Sequence, residues 1–72
     1  MVNILKLKGK LIENGMTIKD LAKVINVNES TVYRKFNNNG DTITIKEAEL
    51  ISVALKLNRD EINSIFFVDV VA

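Results

Sequence analysis

One stretch limits what this chain can fold into: residues 17–36, Thr-Ile-Lys-Asp-Leu-Ala-Lys-Val-Ile-Asn-Val-Asn-Glu-Ser-Thr-Val-Tyr-Arg-Lys-Phe. Its apolar residues recur at the three- and four-residue spacings of amphipathic helices. Leu21, Ala22 and Ile25 share one face of a helix predicted from about Ile18 to Ile25. Val32 and Phe36 share a face of a second helix that starts at Asn28. Asn26 and Val27 make the bend between them, where the chain needs a left-handed residue, and Asn tolerates that conformation better than most non-glycine residues. Ala22 is small where two helices cross closely. Thr17 is the expected N-cap of the first helix, with Asp20 at the third helical position and a Met16–Leu21 hydrophobic staple. Asn28 caps the second, with a Val27–Val32 staple.

The flanking segments read as further short helices. A first helix is predicted over Ile4–Glu13, capped by Asn3 and closed at Asn14-Gly15. Ile4, Leu7 and Leu11 form its apolar stripe, with Leu5 and Ile12 beside it. Gly9 inside this helix costs up to about 1 kcal/mol relative to Ala, and close packing by a neighbouring helix would account for it. Asn37-Asn38-Asn39-Gly40-Asp41 stops the second of these helices and forms a solvated loop. Thr44-Ile45-Lys46-Glu47 opens a fourth helix that runs to about Leu55 or Lys56, with Ile45, Ala48, Ile51, Val53 and Leu55 among its apolar positions. Asn58-Arg59-Asp60-Glu61 opens a fifth, which carries Ile62, Ile65 and Phe66. The tail from Phe67 to Ala72 is rich in β-branched residues and favours extended structure. The sequence shows no internal repeat and no linker, so residues 1–72 are expected to form one all-α domain, a compact bundle of five short helices with a short extended C-terminal tail.

Composition narrows the function. There is no Cys and no His, which removes thiolate metal sites, the commonest metal ligand and the usual general base. Glu47 and Glu49 are two apart on a helix and point in different directions, and no glycine-rich phosphate loop is present. An enzyme is therefore not expected, nor a cofactor, nor a metal site, and no small-molecule ligand is evident. No apolar run approaches the roughly 20 residues of a membrane span, and the N-terminus lacks a cleavable apolar leader, so the expected location is cytoplasmic. Residues 1–40 hold seven basic against three acidic side chains, a balance of +4, whereas residues 41–72 hold three against six, a balance of −3. The half with the paired helices is the basic half, as a nucleic-acid footprint requires.

Ala22, the turn at Asn26, Val27 after it and Val32 resemble the helix-turn-helix of the phage repressor and Cro family, often called Xre-like. The likeness extends over most of the chain. Many members have Gly where this chain has Asn26. Lys35 falls where many members carry a buried aliphatic, which leaves that packing role to Phe36 and would rotate the second helix slightly.

The resemblance implies a sequence-specific regulator of phage or prophage type that binds double-stranded DNA, with the second helix of the pair in the major groove. Carried onto this chain, the base-contacting positions are Asn28, Glu29, Ser30, Tyr33 and Arg34, with Asn37 also facing outward. Arg34 suits a bidentate bond to guanine, whereas Glu29 must accept from a cytosine amino group or else serve only the helix dipole. Backbone contacts are expected from Thr17, Lys19, Lys35, Asn37, Asn38 and Asn39. Lys23 and the Lys6–Lys10 group read as solvated surface. A homodimer is expected from the two-half-site logic of such readers, held by Ile65, Phe66, Phe67, Val68 and Val70 within a segment over about 62–72. The rival expectation is a protein-interaction module that uses the same helical fold without DNA.

Overall fold

The computed structural model describes residues 2–68. Among them the chain forms five α-helices and no strand: α1 (Ile4–Glu13), α2 (Ile18–Val24), α3 (Glu29–Asn37), α4 (Ile45–Ala54) and α5 (Arg59–Phe66). Each starts where the sequence offers an oxygen acceptor for the open amides of a first turn. Asn3 Oδ1 accepts from the Lys6 N–H at 3.1 Å. Thr17, Thr44 and Asn58 each form a reciprocal capping box with the acidic residue three positions on, Asp20, Glu47 and Glu61 respectively. Asn28 is the exception: it occupies the N-cap of α3, but its side chain takes no amide of the helix.

The helix ends are built alike. After each of α1, α2, α3 and α4 a residue adopts positive φ: Gly15 (66°), Asn26 (58°), Asn39 (58°, with Gly40 at 73° after it) and Lys56 (54°). In each case the next amide reaches back five residues to a carbonyl of the last turn: Met16 to Leu11 (2.8 Å), Val27 to Ala22 (2.9 Å), Gly40 to Lys35 (2.8 Å) and Leu57 to Ser52 (2.9 Å). These are Schellman closures, which satisfy carbonyls that a helix end leaves open. Three of them lead directly into the N-cap of the next helix. The spacing from α2 to α3 thus recurs between α4 and α5, although no sequence repeat announces it.

The core gathers Leu7 and Leu11 from α1, Leu21, Ala22 and Ile25 from α2 and its cap, and Val32 and Phe36 from α3. Ala48, Ile51 and Leu55 complete it from α4 and its cap, with Ile65 and Phe66 from α5. α2 packs against α3 and α4, while α1 packs against α5. The Asn3 amide donates to the Ile65 carbonyl at 2.7 Å, and the Val2 amide to the Asn39 carbonyl at 3.0 Å, so the N-terminal segment ties the ends of α3 and α5 together. Lys10 bridges α1 to Glu61 of α5 and also pairs with Glu13 at 3.1 Å. It is a strut between two helices, where solvated surface was expected.

Several packing expectations are corrected. α2 ends at Val24, with Ile25 as its C-cap, and α4 at Ala54, with Leu55 as its cap. Leu5 and Ile12 are 82% and 78% exposed, because the buried stripe of α1 is narrower than its apolar composition. Ile45 and Val53 of α4 also face outward. No neighbouring helix explains Gly9, since a Cβ built there meets nothing within 4 Å. Of the expected extended tail, Phe67 is half-buried and Val68 is 40% exposed, and residues 69–72, including Val70, lie outside the described residues.

Candidate nucleic-acid interface

α3 sorts its side chains cleanly. Val32 and Phe36 point into the core, while Glu29, Ser30, Tyr33, Arg34 and Asn37 are exposed. The four-residue spacing of Ser30 and Arg34, and of Tyr33 and Asn37, puts these groups on one side of the helix. Asn28 is exposed at its start, and the missing cap bond leaves the carboxamide free of its own helix. Glu29 lies in the first turn, where a negative charge suits the helix dipole, and Arg34 lies in the last, where a positive one does.

Around α3 the backbone-contact candidates have different fates. Lys19, Asn37, Asn38 and Asn39 are exposed. Asn38 is the C-cap of α3 and Asn39 the left-handed residue after it, so this polar corner has a fixed backbone. Thr17 is exposed but committed. Its hydroxyl donates to Asp20 Oδ2 (3.1 Å) while accepting the Asp20 amide (3.2 Å), and its own amide also donates to Asp20 (2.9 Å). The backbone N–H of Thr17, followed by its hydroxyl, holds the Asp20 carboxyl below its usual pKa. The bond to Asp20 Oδ2, made in addition to the capping box, occupies the Thr17 hydroxyl proton in this structure.

Lys35 is drawn inward. Its ammonium lies 3.2 Å from Glu47 and donates to the Thr42 carbonyl at 2.9 Å, with only 14% of the side chain exposed. Partial burial pushes the Glu47 carboxyl up, but the Thr44 amide and the Lys35 ammonium outweigh that and hold it low. Lys35 thus pins α3 to the start of α4 instead of facing outward with Arg34. Phe36, next to it in the chain, is buried in the core. Ile65 and Phe66, expected at a dimer contact, are buried in the core of the single chain.

One side chain that sequence reasoning set aside belongs to this region. A groove of about 290 Å³ runs between α1, the start of α2 and α3, and Lys8 lines it together with Thr17, Tyr33 and Asn37. The Lys8 ammonium lies 6.0 Å from the centre of the Phe36 ring. Nothing in the local sequence around Lys8 distinguishes it from Lys6 or Lys10.

The model of the Cro/C1-type helix-turn-helix DNA-binding domain matches residues 6–67, from the first turn of α1 to the C-cap of α5. The chain belongs to that family. No curated protein and no solved structure matches it. Membership in the Cro/C1-type family makes the chain a DNA-binding domain of a regulator family. No helix among the described residues is long and apolar enough to cross a membrane.

Proposed function

We propose that this Cro/C1-type domain is a sequence-specific transcriptional regulator of double-stranded DNA, of phage or prophage repressor type, working in the cytoplasm and without enzymatic activity. The observation that carries the reading is the outward face of α3. It presents a guanidinium, a phenol, a hydroxyl and carboxamides on a helix whose opposite side is locked into the core. In this reading α3 enters the major groove with Asn28, Glu29, Ser30, Tyr33 and Arg34 toward the base edges. Asn28 suits an adenine edge and Arg34 a guanine edge. Lys19, Asn37, Asn38 and Asn39 hold the sugar–phosphate backbone, and Thr17 does so only if its hydroxyl proton turns away from Asp20 Oδ2. Lys35 supports α3 from behind and makes no DNA contact.

The regulator acts as a homodimer, because one α3 covers only a few base pairs and two half-sites give affinity and specificity. With Ile65 and Phe66 in the core, the contact to a second copy falls to the outer face of α4 and α5. There Ile45, Val53, Ile62 and Phe67 line a shallow apolar groove, and Val68 lies just beyond them in the chain.

Retardation of a genomic fragment pool at increasing salt tests the function. Affinity should fall steeply with salt as counterions leave the DNA. On a selected site Arg34→Ala should lose about 1–3 kcal/mol and relax preference at one base pair. Lys19→Ala should instead weaken all sequences alike and lower the salt slope. If no fragment is retarded even at low salt, the domain serves protein contacts instead.

A further inference from the structure

Four lysines of the basic half border α1 or α3, and the structure separates them. Lys10 is held by Glu13 and Glu61, and Lys35 by Glu47 and the Thr42 carbonyl. Their charges are spent on holding helices together. Lys6 lies on α1 away from the groove described above. Lys8 is exposed and, among the described residues, has no carboxylate within 4.0 Å; its ammonium rests against the Phe36 ring. Of these four lysines, Lys8 alone lines the groove with its charge unspent.

We propose that Lys8 extends the DNA interface onto α1, with its ammonium on a phosphate of the strand that passes between α1 and the C-terminal half of α3. The inference rests on the reading of α3 as the DNA-facing helix. Three observations support it. Lys8 lines the same groove as Tyr33 and Asn37, two side chains on the outward face of α3. No acidic side chain lines that groove, so an approaching phosphate meets no carboxylate on its walls. The neighbouring α2 start has its hydroxyl proton tied up within the Thr17–Asp20 box, so Lys8 supplies a donor and a full charge that Thr17 does not. The Phe36 ring, fixed by the core, limits where the flexible lysine head can go, as cation–aromatic contacts do.

The decisive measurement is the slope of log affinity against log salt for wild type, Lys8→Gln, Lys8→Arg and Lys23→Gln. Lys23 is an exposed lysine at the far end of α2, and its loss changes net charge by the same amount. A lost phosphate contact lowers the slope by about 0.9. Lys8→Gln should show that reduction on specific and unrelated DNA alike, with Lys8→Arg and Lys23→Gln at the wild-type slope. An unchanged slope in Lys8→Gln, or an equal reduction in Lys23→Gln, would overturn the role of Lys8. It would leave the reading of α3 intact, since wild type would still bind with a steep salt dependence. A wild type without salt-dependent binding would remove both. If Lys8→Gln melts lower than wild type, Ile12→Glu decides. Ile12 lines the same groove and is 78% exposed, so a carboxylate there leaves the core alone. It should weaken all DNA binding, and unchanged affinity would overturn the proposal.

Discussion

A methyl group added at Gly9 meets nothing, whereas one added at Gly40 would lie 2.5 Å from Val2 Cβ and 2.8 Å from its Cγ2. The two glycines therefore answer substitution in opposite ways. Gly9 sits mid-helix, where Gly is about 1 kcal/mol worse than Ala. Gly9→Ala should raise the melting temperature by about 4–8 °C for a domain of this size. Gly40 has a φ of 73° and closes α3 through the hydrogen bond its N–H donates to the Lys35 carbonyl. Gly40→Ala combines left-handed strain of about 1–2 kcal/mol with displacement of the Val2 segment, and should lower the melting temperature. Thermal unfolding of both variants checks the contrast, and a drop for Gly9→Ala would mean that the exposed side of α1 has an unrecognised packing role. Lys56 is the position the sequence hides. It holds a φ of 54° without the Gly or Asn that usually signals such a turn. The closure there follows from burying Leu55 and half-burying Leu57 on either side of it, a tertiary demand that overrides the local preference of Lys.

At the scale of the element, three helices begin with the same device, and it is titratable. Thr17 N–H and hydroxyl lower the pKa of Asp20; Lys10 and then the Asn58 amide lower that of Glu61. Glu47 is held low against the effect of its burial. A carboxyl whose folded pKa lies below its unfolded value of about 4 contributes stability above that value. The contribution is lost as pH falls through the folded pKa. The urea midpoint should therefore stay level from neutral pH to about pH 5 and fall below about pH 4. A variant with Asp20→Asn, Glu47→Gln and Glu61→Gln should be less stable at neutral pH but lose less on acidification. Parallel acid limbs for the two proteins would show that the boxes do not set the response. These boxes were legible because each lies within four consecutive residues, and so were the bounds of α1 and the left-handed Asn26. The partners of Lys35, Lys10 and Lys8 were not. Glu47, Glu61 and Phe36 lie on other helices, and only the fold decides which lysine meets a carboxylate and which stays open to DNA.

For the whole molecule, the question is where the remaining apolar surface goes. The expectation that Ile65 and Phe66 join two copies treated helix 5 as surplus, but α1 and the N-terminal segment cover it, and both residues are spent inside one chain. Leu5 and Ile12 leave part of the surplus on α1, and the rest lies on α4. Ile45 and Val53 are 71% and 79% exposed and line a groove of about 450 Å³ with Ile62 and Phe67. A groove of this kind, mostly apolar although Glu49 and Ser52 also line it, calls for a partner on a small domain, and a two-fold contact between identical faces closes on itself as a dimer. The charge layout agrees, because this face belongs to the acidic half of the chain and leaves the basic half free for DNA. Val53→Lys places a charge at the most exposed point of the groove without disturbing the core. In sedimentation velocity at high protein concentration, wild type should run as a dimer and Val53→Lys as a monomer. The variant should also bind a two-half-site DNA more weakly and without cooperativity, while keeping its affinity for a single half-site. If wild type sediments as a monomer and both proteins bind the paired site equally, this face does not join two copies.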